Sequence, residues 1–211
     1  NDAPTLANAI SDQAATEDAA FSFVVPANSF ADVDVGDTLT YSATKADGTA
    51  LPAWLTFNAG TRAFSGTPFN ADVGTVSLKV KATDGAGSNV TDTFDVTVAN
   101  TNDAPTLANA IADQAATEDA AFSFTVPADT FADVDVGDSL TYTAMRTDGS
   151  PLPSWLAFDA AGRTFSGTPV NDDVGTLSVK VVATDIGNSS AFDTLDLTVI
   201  NTNDAPIANP D

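Results

Sequence analysis

The amino-acid sequence predicts an all-β protein built as two tandem Greek-key β-sandwiches of about seven strands each. Three observations predict it. First, the 211 residues repeat at a constant offset of 101: Asn1, Asn102 and Asn203 open the same phrase, Asn-Asp-Ala-Pro, and Glu17, Trp54, Arg62 and Asp84 recur as Glu118, Trp155, Arg163 and Asp185. A repeat of this length is a whole domain rather than one turn of a solenoid. Second, apolar and polar residues alternate at period two, which marks strands with one buried face. Third, Gly, Pro, Asn and Asp clusters punctuate that alternation at the spacing of a sandwich.

In order along the first unit, residues 5–10 read as the opening strand. Phe21, Phe23 and Val25 alternate next, then Leu39, Tyr41 and Ala43. An apolar run from Leu51 to Phe57 carries Trp54, and the turns Asp47-Gly48, Ala59-Gly60 and Gly66-Thr67-Pro68 flank the middle of the unit. Val76, Leu78, Val80 and Ala82 form the longest alternation, followed by the Asp84-Gly85 turn and by Phe94, Val96 and Val98. No segment has helical periodicity. The Asn-Asp-Ala-Pro phrase sets the boundaries: one domain over 1–101, a second over 102–202, and the start of a further linker at 203–211. A chain that opens and closes on its boundary phrase is expected to be a piece of a longer array.

Composition narrows the functions. With 29 Asp+Glu against 7 Lys+Arg, the net charge is −22. Nucleic acid is excluded as a partner, since phosphate binding needs clustered Lys and Arg. The Phe, Val and Leu content and the patterned strands argue against disorder. Cys and His are absent, which removes thiol nucleophiles, Ser-His-Asp triads and thiolate or imidazole zinc sites. A chain without Cys fits a bacterial surface protein at least as well as a disulfide-stapled secreted domain. No apolar run approaches the ~18 residues of a membrane span, so membrane insertion is not expected. No leader is visible and residue 1 is not Met, so any targeting segment is expected to lie elsewhere or to have been removed.

Strand parity places the loops. If seven strands alternate in direction from a start at the top, the loop with Glu17 lies at the bottom. The loop with Asp32, Asp34 and Asp37 then lies at the top, Asp72 at the bottom and the Asp84 turn at the top. The last strand leaves at the bottom into residues 100–103. The second unit repeats the map, with Asp133, Asp135, Asp138 and Asp185 at its top. The junction is therefore expected to gather Glu17, Asp72, the linker residues Asn100, Thr101, Asn102 and Asp103, and those four acids. Like charges about 4 Å apart repel by roughly 4 kcal/mol at an effective dielectric of 20, so a cation is expected to fill the set. The donors are all oxygens on loops, which suits calcium better than magnesium, a smaller ion that prefers to keep its water. On this reading Asn-Asp-Ala-Pro supplies linker ligands and its Pro restricts how the chain leaves them.

The stretches "LPAWLTFNAGTRAFSGTP" and "LPSWLAFDAAGRTFSGTP", with "TED", "FADVDVGDTLTYSA", "KATDGAGS" and "NTNDAP" around them, resemble the bacterial cadherin-like domains. The match is to the dystroglycan-type group, also described as a putative Ig-like repeat, which occurs in adhesins and rhizobial adhering proteins. The resemblance covers both units end to end and implies a cadherin/Ig-like sandwich. It also implies calcium ligands at Glu17, Asp72, Asp133 with Asp135, Asp185, and Asn100 with Asn102 and Asp103. Asn100 stands where cadherins have Asp, and Asn70 stands ahead of Asp72 where cadherins carry a further acid, so fewer or weaker ions than the three of a cadherin junction are expected. Asp37 and Asp138 have no secure counterpart and rank lower. Asp2 with Asp32, Asp34 and Asp84, and Glu118 with Asp173 and Asp204, are half-sites expected to fill more weakly, since each lacks about half its ligands.

Other readings are weighed beside these. "DVDVGD" hints at an EF-hand, but the twelfth position from Asp32 is Ala43 and no helices flank it. Trp54 and Trp155 are expected in the core, with stacking on sugar rings as the alternative. Arg62 and Arg163 are expected to pair with a carboxylate within the fold, with an anionic glycan as the alternative. Asn89-Val90-Thr91 and Asn188-Ser189-Ser190 match the short glycosylation sequon, relevant only in a eukaryotic secretory host. Paired carboxylates invite a glycosidase reading, but crowded loop acids without a nucleophile–base pair do not build one, so no enzyme is expected. The expected function is calcium-dependent adhesion at an extracellular or bacterial surface, with polysaccharide binding implied by the resemblance. The alternatives are a ligand-free spacer of a long adhesin and homotypic protein adhesion. The expected partners are polysaccharide or other adhesin domains, with the chain a monomer within its array.

Overall fold

The computed structural model describes residues 1–204, in one unit from Asn1 to Thr101 and a second that begins at Asn102. The expected linker segment 203–211 therefore lies, beyond Asp204, outside the described residues. In the first unit the strands are β1 (Thr5–Leu6), β2 (Gln13–Thr16), β3 (Phe21–Val24), β4 (Phe30–Ala31), β5 (Thr40–Lys45), β6 (Leu55–Asn58), β7 (Ala63–Gly66), β8 (Gly74–Thr83) and β9 (Asn89–Ala99). The second unit repeats them as β10 (Thr106–Leu107), β11 (Gln114–Thr117), β12 (Phe122–Thr125), β13 (Phe131–Ala132), β14 (Thr141–Arg146), β15 (Leu156–Asp159), β16 (Thr164–Gly167), β17 (Gly175–Thr184) and β18 (Ser190–Ile200). Single 3-10 turns, Asn70–Asp72 and Asn171–Asp173, precede β8 and β17. Among the described residues no helix is long and apolar enough to cross a membrane.

Each unit is an all-β sandwich of a four-stranded sheet, β2-β9-β8-β5 or β11-β18-β17-β14, and a three-stranded sheet, β3-β7-β6 or β12-β16-β15. The seven expected strand paths become nine strands because two more form outside them, β2 at Gln13–Thr16 after the opening path and β4 at Phe30–Ala31 after the second. Residues 5–10 hold the ladder only over Thr5 and Leu6, after which the N–H groups of Ala7 and Asn8 both turn to Ser29 O, and Asn8 Nδ2 donates to Asn28 O. The second path breaks at Pro26, which has no N–H to offer a ladder. The added strands set the pairing of this end: β1 pairs antiparallel with β4, and β2 pairs parallel with β9 of the four-stranded sheet.

The period-two residues fill the core as their spacing requires. Leu78, Val80 and Ala82 of β8 and Phe94, Val96 and Val98 of β9 are all buried in one core cluster, with Leu78 paired to Phe94. Phe64 is fully enclosed, with ring centroids of Phe57 at 4.6 Å, Phe94 at 5.7 Å and Phe23 at 6.4 Å. Trp54 is buried and meets Phe21 edge-on at 5.9 Å, a core role as expected. Arg62 and Arg163 differ from expectation: their guanidinium carbons lie 5.6 and 5.7 Å from the Tyr41 and Tyr142 ring centroids, and Arg163 Nε donates to Val126 O. A tyrosine face, with a carbonyl besides at Arg163, stands where a carboxylate is expected, in the β6–β7 and β15–β16 turns where the arginines have φ of +56° and +52°.

The turn after β5 shows what an ordinary solvated Asp does here. Asp47 Oδ1 accepts from the Thr49 hydroxyl at 2.6 Å and from its N–H at 2.8 Å, and these bonds, the hydroxyl first, hold the carboxyl below the ordinary 3.8. A lowered carboxyl contributes stability above its unfolded pKa and loses it as pH falls through the lower folded value. Thr49→Ala is expected to raise the Asp47 pKa toward 3.8 in an NMR carboxyl titration, with Asp148, held down likewise by Ser150, unmoved as the internal control.

Candidate metal centre

The acids collect at the two ends of each sandwich because the strands alternate. In the first unit β2 runs beside β9 down to the Thr16–Ala99 pair, and Glu17 follows at that lower end, its N–H bonded to Ala99 O at 3.1 Å. Glu17 is 1% exposed. Its Oε1 accepts the Thr101 N–H at 2.5 Å, and its Oε2 is buried with no hydrogen-bond partner. Asp72 stands at the same end, where its Oδ2 accepts the Phe69 N–H at 3.0 Å and closes the 3-10 turn.

At the upper end, Thr83 pairs with both Thr40 and Asn89, so the β4–β5 and β8–β9 loops meet. The buried Asp84 accepts from Asn1 Nδ2 at 2.9 Å and from the N–H groups of Ala86 and Ser88 at 2.9 and 2.8 Å. The Asn1 bond, aided by those backbone donors against the opposing cost of burial, holds the Asp84 carboxyl below its ordinary value. Asp2 contributes its N–H to Asp34 Oδ2 at 2.7 Å, and Asp34 in turn donates its N–H to Asp32 Oδ1 at 2.9 Å. Oxygens of Asp32, Asp37 and Asp84 lie within 4.8 Å of one another.

The second unit builds the same upper end from its own residues. Asn102 Nδ2 donates to Asp185 Oδ2 at 3.0 Å and to Ser189 Oγ at 3.3 Å, and the Asp103 N–H donates to Asp135 Oδ2 at 2.8 Å. Asn102 lies so close to the backbone of Gly187 that a Cβ there would fall 1.9 Å from its Oδ1. Oxygens of Asp133, Asp135 and Asp138 lie within 4.8 Å of one another. One oxygen of each (Oδ2, Oδ1 and Oδ2 respectively) is buried without a partner, and Asp135 as a whole is 8% exposed. At the lower end Glu118 repeats Glu17: its Oε1 accepts the Thr202 N–H at 2.5 Å and its Oε2 is enclosed without a partner. Asp173 Oδ2 accepts the Val170 N–H at 2.9 Å, and Asp204 Oδ2 accepts from Asn171 Nδ2 at 2.6 Å.

The structure thus separates the sequence-derived residues into groups. Asp32 with Asp84, and Asp133 with Asp135 and Asp138, form carboxylate clusters; Thr101, Asn102 and Asp103 donate to Glu17, Asp185 and Asp135; Asp34, Asp72 and Asp173 stand outside the two clusters, each accepting a backbone N–H. Asn100 is exposed at the end of β9. Asp37, ranked low from sequence, joins Asp32 and Asp84; its signal was the third acid of Asp-x-Asp-x-x-Asp, repeated at Asp138. Carboxylate oxygens sealed from water without a donor are costly unless a cation meets them. The donor set fits a hard, oxygen-seeking ion, and calcium bound there would supply the missing positive charge.

The profile of the putative Ig domain matches residues 3–99 and again 104–200. Over 146 residues the chain is 32% identical to the "serine-rich adhesin for platelets" of Staphylococcus aureus (strain USA300), covering 69% of this chain. The chain spans only 6% of that protein's length. Among solved structures it is similar to mouse cadherin-23 EC22-24, with a TM-score of 0.66 and 17% identity over 95% of this chain and 64% of that one. It is also similar to human mucin-like protocadherin EC1-2, with a TM-score of 0.62 and 16% identity over 94% of this chain and 98% of that one. At such identities the likeness is one of fold.

Proposed function

We propose, from the premise that this chain belongs to the putative Ig domain family in two successive copies, that it is a calcium-binding adhesive tandem of an extracellular surface protein. The observation that carries the calcium reading is the enclosed, partnerless oxygen on Glu17, on Glu118 and on Asp135. The acids hold consecutive linker residues: Glu17 takes the Thr101 N–H, Asp185 the Asn102 amide and Asp135 the Asp103 N–H. Calcium on Glu17 would act within the first unit beside Thr101, and calcium on Asp135 and Asp185 within the second beside Asn102 and Asp103. Adhesion is supported by the relative's being an adhesin. The partner that suits the chain is a polysaccharide. A polymer carrying acid groups meets a net charge of −22, so bound calcium bridges or screens the two.

The test is a polysaccharide-binding panel that includes acidic bacterial exopolysaccharides, run once in calcium and once in chelator. Binding to at least one polymer, abolished by chelator, is the expected result. No binding in either condition supports the second reading, a spacer within a long adhesin, which the unbroken 101-residue register favours.

A further inference from the structure

We propose that the second unit carries a pocket for a neutral sugar ring, lined by Trp155, Arg146 and Asp172. The proposal deepens the adhesive reading and rests on it for the polymer that would present such a ring. A cavity of about 190 Å³ lies where the β14–β15 connection passes the Asn171–Asp173 turn, and Arg146, Pro153, Trp155, Asp172, Asp173 and Thr176 line it. That is smaller than the ~300–1,000 Å³ of sites for drug-sized ligands and suits a single ring.

The lining has the chemistry of sugar recognition. Trp155 packs against Gly167, where a Cβ would come within 3.1 Å of its Cε3, yet it is only partly buried, whereas Trp54 of the first unit is 8% exposed. Its remaining surface joins the cavity wall beside Pro153, where it borders a ring held there. Arg146 ends β14 opposite Val179 and lines the cavity together with Asp172 and Asp173. A guanidinium donates only and a carboxylate accepts only, so a hydroxyl, which does both, satisfies each of them. Two carboxylates against one guanidinium favour a neutral ring over a uronate.

The two units differ in this place. Pro52, Trp54, Asp72 and Thr75 of the first unit correspond to Pro153, Trp155, Asp173 and Thr176, but Lys45 and Ala71 stand where the second has Arg146 and Asp172. Lysine lacks the planar fork that holds two oxygens at once, and Ala71 offers no acceptor. The double variant R146K/D172A therefore installs residues that the first unit already accommodates, which keeps the fold out of the question.

The experiment follows the two indole N–H signals of the whole tandem by NMR during titration with methyl glycosides of glucose, galactose, mannose and N-acetylglucosamine, and with glucuronate. At least one neutral glycoside is expected to shift the Trp155 signal and leave that of Trp54 in place, glucuronate to shift neither, and R146K/D172A to weaken binding by about tenfold or more. The proposal is overturned if no neutral glycoside moves the Trp155 signal, if glucuronate binds as well as they do, or if the double variant binds unchanged. Repeating the titration in chelator separates the two readings. Trp155, Arg146 and Asp172 are not among the proposed calcium ligands, so binding that rests on them persists there even if the calcium reading fails. Calcium-dependent polymer binding with a silent Trp155 sinks the pocket alone.

Discussion

Gly66→Ala and Gly167→Ala are each expected to lower the melting temperature of their own unit by about 12 °C or more, a loss of roughly 3 kcal/mol or more from one methyl group. Neither glycine has a positive φ, so the cause is space alone. A Cβ on Gly66 would lie 1.8 Å from the carbonyl oxygen of Trp54, and one on Gly167 1.8 Å from that of Trp155. The obstacle in each case is backbone, fixed by the pairing of Gly66 with Phe21 on one side and Leu55 on the other. Relief requires parting β6 from β7, which opens the core over Phe64. Stabilities of whole domains run to about 5–15 kcal/mol, so the loss is a large share of the total. Gly60→Ala is the control: its nearest contact would be Asn58 Oδ1 at 3.5 Å, and it is expected to cost less than about 1 kcal/mol. Calorimetry on the three variants decides the matter, and a Gly66→Ala transition within a degree or two of the parent would show that the backbone yields.

Asp135→Asn is expected to change sign with calcium. In about 10 mM calcium, with an extracellular-type Kd near 10⁻⁴ M, the parent is expected to gain about 2.7 kcal/mol that the variant forfeits in large part. In chelator the variant is expected to be as stable as the parent or more so. The reason lies within the second unit: oxygens of Asp133, Asp135 and Asp138 crowd within 4.8 Å, and removing one charge relieves repulsion of roughly 4 kcal/mol per close pair at an effective dielectric of 20. Asparagine keeps an oxygen for the Asp103 N–H that Asp135 now accepts, so the local bond survives. Thermal melts of both proteins with and without calcium read the effect. Equal calcium gains in the two would remove Asp135 from the ion's ligands.

How much of this was legible depends on the element. The strict alternation from Val76 to Ala82 and from Phe94 to Val98 specifies β8 and β9, because one buried face leaves no other register. Residues 5–10 were misleading: Ala-Asn-Ala lacks the alternation, and the chain there bonds to Ser29 O and Asn28 O. The parallel pairing of β2 with β9 was not legible, since the pattern of one strand carries no information on its partner's direction. Parity alone put Glu17 and Asp84 at opposite ends of the first unit, where the structure has them. What parity could not do was rank acids that share a loop. Asp34 bonds to the Asp2 N–H while Asp37, three residues on, turns in toward Asp32 and Asp84. The arginines misled for a related reason: a rare cation among many acids suggests a charge pair, but in turns with φ above +50° Arg62 and Arg163 each stand against a tyrosine ring.

The parallel run of β2 beside β9 has a mechanical consequence. Within the first unit the chain enters at the end where Asn1 bonds Asp84 and leaves at the end where Thr101 bonds Glu17. Tension along the chain therefore draws the opening strand and the closing strand in opposite directions along a shared line. The four register pairs from Gln13–Val96 to Thr16–Ala99 lie across that pull and share it in shear, like a lap joint, instead of opening one by one from an end. The second unit has the same joint between β11 and β18.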